Sequence, residues 1–142
     1  MTTLYVISDL HLGGGDGFQM CTGQAALARF LEARVEEARA SGDVELVING
    51  DAVDFLAEAP FRALTVDDGE ATRKLNAILG RAENQGVFGA LRAFVAAGGR
   101  LTVLLGNHDL ELRLPGPRAA LQAALGEGAV LQLDGSPLRR GG

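Results

Sequence analysis

The sequence predicts an α/β fold, a mostly parallel sheet flanked by helices. Three short runs, residues 4–7, 45–48 and 101–105, are largely apolar and rich in β-branched side chains, the pattern of buried parallel strands. Segments with helical periodicity separate them. Strands alternating with helices imply right-handed crossovers and parallel pairing. Each run also gives way to a polar cluster, and parallel strands bring all their carboxyl ends to one edge.

The first strand is Leu4, Tyr5, Val6 and Ile7, followed by a Gly-rich loop over residues 13–17. Residues 24–40 are helical: Leu27, Phe30, Leu31, Val35 and Ala38 share one face, with Arg29, Glu32, Glu36 and Arg39 opposite. Thr22 is a candidate cap, and Ser41, Gly42 and Asp43 stop the helix. After the second strand, residues 55–68 read as a short helix plus loop interrupted by Pro60. Residues 70–97 read as helix with Leu75, Ile78, Leu79 and Ala82 on one stripe and a break at Asn84, Gln85 and Gly86, after which Phe88, Leu91, Phe94 and Val95 resume the period, giving two helices or one kinked helix. The third strand follows Gly98 and Gly99. Pro115 and Pro117 punctuate a loop, residues 118–125 form a short helix, and residues 130–133 form a weaker fourth strand. The tail, Arg139, Arg140, Gly141 and Gly142, reads as unstructured.

The chain has 142 residues, 47 % of them apolar and 22 % charged, which suits one domain with a real core. Its net charge of −5 disfavours extended nucleic-acid binding. A phosphorylated small molecule is still admissible, because bound cations reverse the local field. The single cysteine, Cys21, permits no internal disulfide and fits a reducing, cytoplasmic setting. No apolar run is long enough to span a membrane, and the N-terminus lacks the basic segment of a signal peptide.

The chemistry concentrates at the strand ends. Asp9 and His11 lie two apart, so an extended chain offers a carboxylate and an imidazole on one side while Leu10 turns into the core. Mixed oxygen and nitrogen donors suit Zn, Mn or Fe. At the second strand end Gly50 permits a sharp turn, Asp51 could bridge two cations or cap a helix, and Asp54 could cap or orient a histidine. At the third, Asn107 offers a neutral amide oxygen, His108 a proton donor near neutral pH, and Asp109 a group that fixes local structure or a histidine tautomer. Both histidines of the chain, His11 and His108, sit at strand ends. The Gly13, Gly14, Gly15 run could cradle a phosphate through its N–H groups, although it lacks the ending of a P-loop. Cys21, Arg62, Arg113 and the terminal arginines carry no assigned role. No G-x-G-x-x-G follows the first strand, which argues against a Rossmann-like nucleotide binder.

Together, Asp9-Leu10-His11, Gly50-Asp51-Ala52-Val53-Asp54 and Gly106-Asn107-His108-Asp109 resemble the D-x-H, G-D-x-x-D and G-N-H-D/E motifs of the calcineurin-like metallophosphoesterases, in order and spacing. The resemblance covers residues 4–114 and implies the N-terminal half of that family's α/β/β/α sandwich. It implies a centre of two divalent or trivalent ions (Mn, Fe or Zn): Asp9 and His11 on the first, Asp51 on both, Asn107 on the second. His108 would stabilise the transition state and protonate the leaving group, with Asp54 supporting it. The implied reaction is in-line displacement at phosphorus in a phosphomonoester, phosphodiester or pyrophosphate. The family pattern continues into further histidine motifs, and no histidine follows His108 here. The expectation is therefore one apparently truncated domain over residues 1–142, impaired in catalysis and self-associating through an uncovered sheet face. The alternative is a non-catalytic half-domain whose metal or phosphate site another chain or segment completes.

Overall fold

The computed structural model describes residues 1–15 and 17–138. The tail expected to be unstructured, residues 139–142, lies outside them. The elements run β1 (Thr3–Ile7), α1 (Gln24–Ser41), β2 (Val44–Asn49), α2 (Asp68–Gly80), α3 (Ala82–Ala96), β3 (Arg100–Leu104), a 3-10 turn (Leu110–Arg113), α4 (Pro115–Leu125) and β4 (Val130–Gln132). The four strands form one all-parallel sheet in the order β1-β2-β3-β4. This is the expected α/β architecture.

The sheet buries one face against the helices. Leu46, Ile48, Leu101, Val103 and Leu131 join Leu31 and Val35 of α1, Phe88, Leu91 and Phe94 of α3, and Leu121 and Leu125 of α4 in a single core. Tyr5 and Ile7 pack against its margin. The opposite face carries Leu4, Val6 and Val130, which are 39 %, 57 % and 55 % exposed. The continuous apolar runs of the sequence therefore mark a face that helices cover and a face exposed at Leu4, Val6 and Val130, where Val47 alone of the apolar strand residues beside them is buried, at 2 % exposure. Among the described residues, no helix is long and apolar enough to cross a membrane.

Several boundaries differ from the sequence reading. Helix α1 starts after Gly23 without a side-chain cap, so Thr22 does not cap it, whereas Gly42 ends it in the left-handed conformation as expected. Residues 55–67 contain no helix. Helix α2 instead begins where the Asp67 side chain accepts a hydrogen bond from the Glu70 N–H at 2.6 Å. The break between α2 and α3 falls at Arg81, not at residues 84–86. Asn84 lies inside α3, and its buried amide donates to the Ile78 carbonyl at 2.9 Å. Ala82, placed on the apolar stripe from the sequence, is exposed because the stripe ends at the break. Helix α4 begins at Pro115 rather than residue 118, since a proline in the first turn gives up no helical hydrogen bond.

One-sided burial has a measurable consequence. Leu46→Ala opens a cavity in the core and is expected to cost about 2–5 kcal/mol. Val6→Ala on the bare face should change stability by less than about 0.5 kcal/mol. Urea unfolding of the two variants beside the parent checks both.

Candidate metal centre

The chain leaving β1 does not stay extended. It runs beside the chain leaving β2, and the Asp9, His11 and Leu12 N–H groups donate to the carbonyls of Gly50, Asp51 and Ala52 at 3.2, 2.9 and 3.1 Å. The Asp54 N–H returns to Leu12 at 2.9 Å, and the Phe55 N–H donates to His108 at 3.1 Å. Backbone pairing thus laces the three strand exits together before any side chain contributes.

This route imposes an unusual backbone. Among the described residues, Asp9, His11 and Asp51 are the non-glycine residues with positive φ, at 55°, 46° and 53°. Side chains with a Cβ adopt this region at a cost of roughly 1–3 kcal/mol each. Asp9 and His11 therefore meet through left-handed backbone, not by the two-residue period expected of an extended strand. Gly50, at φ 84°, makes the sharp turn expected of it. Gly106 faces it so closely that a Cβ there would overlap the Asp51 backbone and carboxylate.

Two groups of donors converge, Asp9, His11 and Asp51, and His11, Asp54 and His108, with each group's atoms within 4.8 Å of one another. His11 Nε2 stands 3.8 Å from both Asp9 Oδ1 and Asp51 Oδ2. His11 Nδ1 and His108 Nδ1 approach Asp54 Oδ2 at 3.1 and 3.2 Å, and the two imidazoles meet edge to face with centroids 4.7 Å apart. When His11 Nδ1–H donates to Asp54, the Nε2 lone pair faces the two other carboxylates. The donor set fits a cation. Oxygen and nitrogen ligands about 2.0–2.2 Å from a transition-metal ion lie about 3–4 Å apart, the spacing found here. Asp9 and Asp51 also carry like charge within 4.8 Å, a repulsion that solvent screens because the Asp9 side chain is 67 % exposed.

Asp54 is 1 % exposed and divides its oxygens. Oδ2 serves the two imidazoles, while Oδ1 accepts from the Leu56 and Ala57 N–H groups at 3.0 and 3.2 Å. No helix follows Asp54, so it caps none; its Oδ1 holds the turn at Leu56 and Ala57 while its Oδ2 lies beside both imidazoles. Asp51 caps no helix; its Oδ1 accepts the His108 N–H at 2.9 Å. Asn107 lies on the exposed turn between Gly106 and His108. Asp109 is buried completely and accepts from the Gly106 and Ala52 N–H groups at 2.7 and 2.9 Å, so it fixes local structure. Burial pushes its carboxyl up to about 6, against the opposing pull of those backbone donors.

The glycine run is used differently from the phosphate cradle considered for it. The Gly14 N–H donates to Glu58 Oε1 at 2.8 Å, and its carbonyl accepts from Arg81. Neither Glu58 nor Arg81 stood out in the sequence, because their partners lie 44 and 67 residues away and neither belongs to a motif. Lys74, which likewise belongs to no motif, is buried and donates to the Phe55 carbonyl at 3.1 Å, next to Asp54 in the chain.

The positive φ at Asp9 inverts the usual ranking of alanine and glycine. Metal-free Asp9→Gly should be more stable than Asp9→Ala by about 1 kcal/mol, where an ordinary position would favour alanine. Chemical denaturation in the presence of a chelator decides it. Asp109→Ala strands two buried N–H groups and is expected to cost about 2–4 kcal/mol in the same measurement.

No curated protein matches the chain. The model of the calcineurin-like phosphoesterases matches residues 2–137, nearly the whole sequence and all three strand-end clusters. The chain belongs to the calcineurin-like phosphoesterase family.

Proposed function

We propose that the chain is a metal-dependent phosphoesterase domain that hydrolyses a phosphomonoester, phosphodiester or pyrophosphate of a small molecule. The observation that carries this reading is the convergence of Asp9 Oδ1, His11 Nε2 and Asp51 Oδ2, each on a residue with strained backbone. Strain and like-charge repulsion both cost stability, and a bound cation offsets both. Asp9 and His11 would hold a first ion, Asp51 would serve both, and Asn107 would serve a second, with Mn, Fe or Zn suiting the donors. When bound, such ions lower the pKa of water and stabilise charge on phosphoryl oxygens. The chain's own part is to orient and to move a proton. Asp54 fixes both imidazoles, and His108 donates to the leaving oxygen. A cytoplasmic setting belongs to this proposal, supported by the lone Cys21.

The donor inventory favours a second reading. The residues proposed for the second ion are Asp51 and Asn107, fewer than a transition metal takes in a closed site. On this reading the chain is a half-domain that binds metal or phosphate weakly, and another chain or segment completes it. The bare face with Leu4, Val6 and Val130 supports self-association as part of the same proposal.

Mn²⁺ is expected to raise the melting temperature in a concentration-dependent way, and Asp51→Asn should abolish the shift. His108→Ala should keep the shift yet lower any aryl-phosphatase rate by about 10²–10⁴-fold. A metal response with no turnover in the parent selects the half-domain reading. An unchanged rate in His108→Ala removes its assignment as the proton donor.

A further inference from the structure

Arg81 is the one residue between α2 and α3, and its extended conformation (φ −68°, ψ 134°) interrupts what would otherwise be a continuous helix. The interruption is built rather than frayed. Asn84 donates to the Ile78 carbonyl at 2.9 Å and Gln85 to the Gly80 carbonyl at 3.2 Å, so side-chain amides satisfy acceptors that the break releases. The guanidinium reaches away from the helices. Its Nη2 meets Glu58 Oε2 at 2.7 Å, and its Nη1 donates to the Gly14 carbonyl. Glu58 Oε1 accepts the Gly14 N–H at 2.8 Å. Gly14 is thus gripped by an ion pair at both its N–H and its carbonyl.

The location of this grip gives it meaning. Gly14 lies three residues beyond His11, and Glu58 lies four beyond Asp54. Gly14 has φ 84°, and a Cβ there would press on Phe18 and Ala57, so the loop passes in close contact with the chain leaving β2. Glu58 is 5 % and Arg81 23 % exposed as side chains. A sequestered ion pair gains little stability over apolar packing, because desolvation consumes the Coulombic attraction. Its planar fork does fix the separation of the groups it touches.

We propose that Arg81 and Glu58 are positioning residues that hold the loop bearing Asp9 and His11 at metal-binding distance from the loop bearing Asp51 and Asp54. The inference rests on the metal-centre reading. The brace acts without touching the ion: the α2–α3 break aims Arg81, Arg81 and Glu58 clamp Gly14, and the clamp extends to Gly14 the backbone pairing that joins the two loops nearer the strands.

The test uses the full chain with Co²⁺ as probe, comparing the parent with Arg81→Ala, Arg81→Lys, Glu58→Gln and Asp51→Asn well below each melting temperature. In the metal-free protein, exchange of the Gly14 amide should accelerate in Arg81→Ala and Glu58→Gln. Their Co²⁺ affinity should fall on the order of tenfold, with a shift of the visible ligand-field bands. Arg81→Lys, which keeps the charge but loses the two-pronged fork, should restore the affinity only in part. Faster Gly14 exchange with parental affinity and spectrum overturns the proposal, as does exchange that does not change. Glu58→Gln alone decides the matter if Arg81→Ala fails to fold. Equal Co²⁺ uptake by the parent and Asp51→Asn overturns the metal-centre reading itself, and the brace falls with it. A brace that fails alone leaves the parent binding and Asp51→Asn not.

Discussion

The carboxylate of Asp109 is the fixed point of this molecule. It is fully buried, and it spends one oxygen on the Gly106 N–H and the other on the Ala52 N–H. These two donors belong to the exits of β3 and β2, so one side chain sets the gap between neighbouring strand ends. Burial makes its anion costly, as the upward displacement of its pKa to about 6 shows. What the cost secures is geometry. The His108 N–H reaches Asp51, the Phe55 N–H reaches the His108 carbonyl, and the exit of β1 is laced to the same frame through Leu12.

Around that frame the structure concentrates its unfavourable terms. Three left-handed residues with side chains, converging carboxylates and a sequestered Glu58–Arg81 pair all lie at the carboxyl edge of the sheet. The rest of the fold is conventional, with an apolar core and helices that end at glycines or begin with Asp67 and Pro115. Among the described residues, positive φ at residues with side chains is confined to this edge, which indicates that the edge answers to something other than stability.

Much of this was legible in the amino-acid order. The cores of the strands were, because a run such as Val44–Asn49 has no competing helical period and ends at a glycine. The meeting of the three polar clusters followed from parallel pairing alone. The path by which Asp9 and His11 meet was not legible, because left-handed geometry at residues other than glycine comes from tertiary lacing and leaves no compositional mark. The α2–α3 break was misplaced for a similar reason. Asn84, Gln85 and Gly86 look like a breaker, yet Asn84 is buried as a cap for the end of the preceding helix. Glu58 and Arg81 were invisible because an ion pair across 23 residues has no periodicity. Pro115 misled because a proline that opens a helix looks the same in sequence as one that ends it.

The strand order has a consequence that reaches beyond the site. A sheet numbered β1-β2-β3-β4 grows in one direction at every step. Right-handed crossovers that always step the same way deposit every connecting helix on the same side, and only a reversal of order would send one to the other. The bareness of Leu4, Val6 and Val130 is therefore a property of the winding and not a deficit of apolar residues or of helix number. No rearrangement of α1 to α4 compatible with this order could cover that side. Lengthening a crossover would thicken the layer that already exists and leave Leu4, Val6 and Val130 outside it.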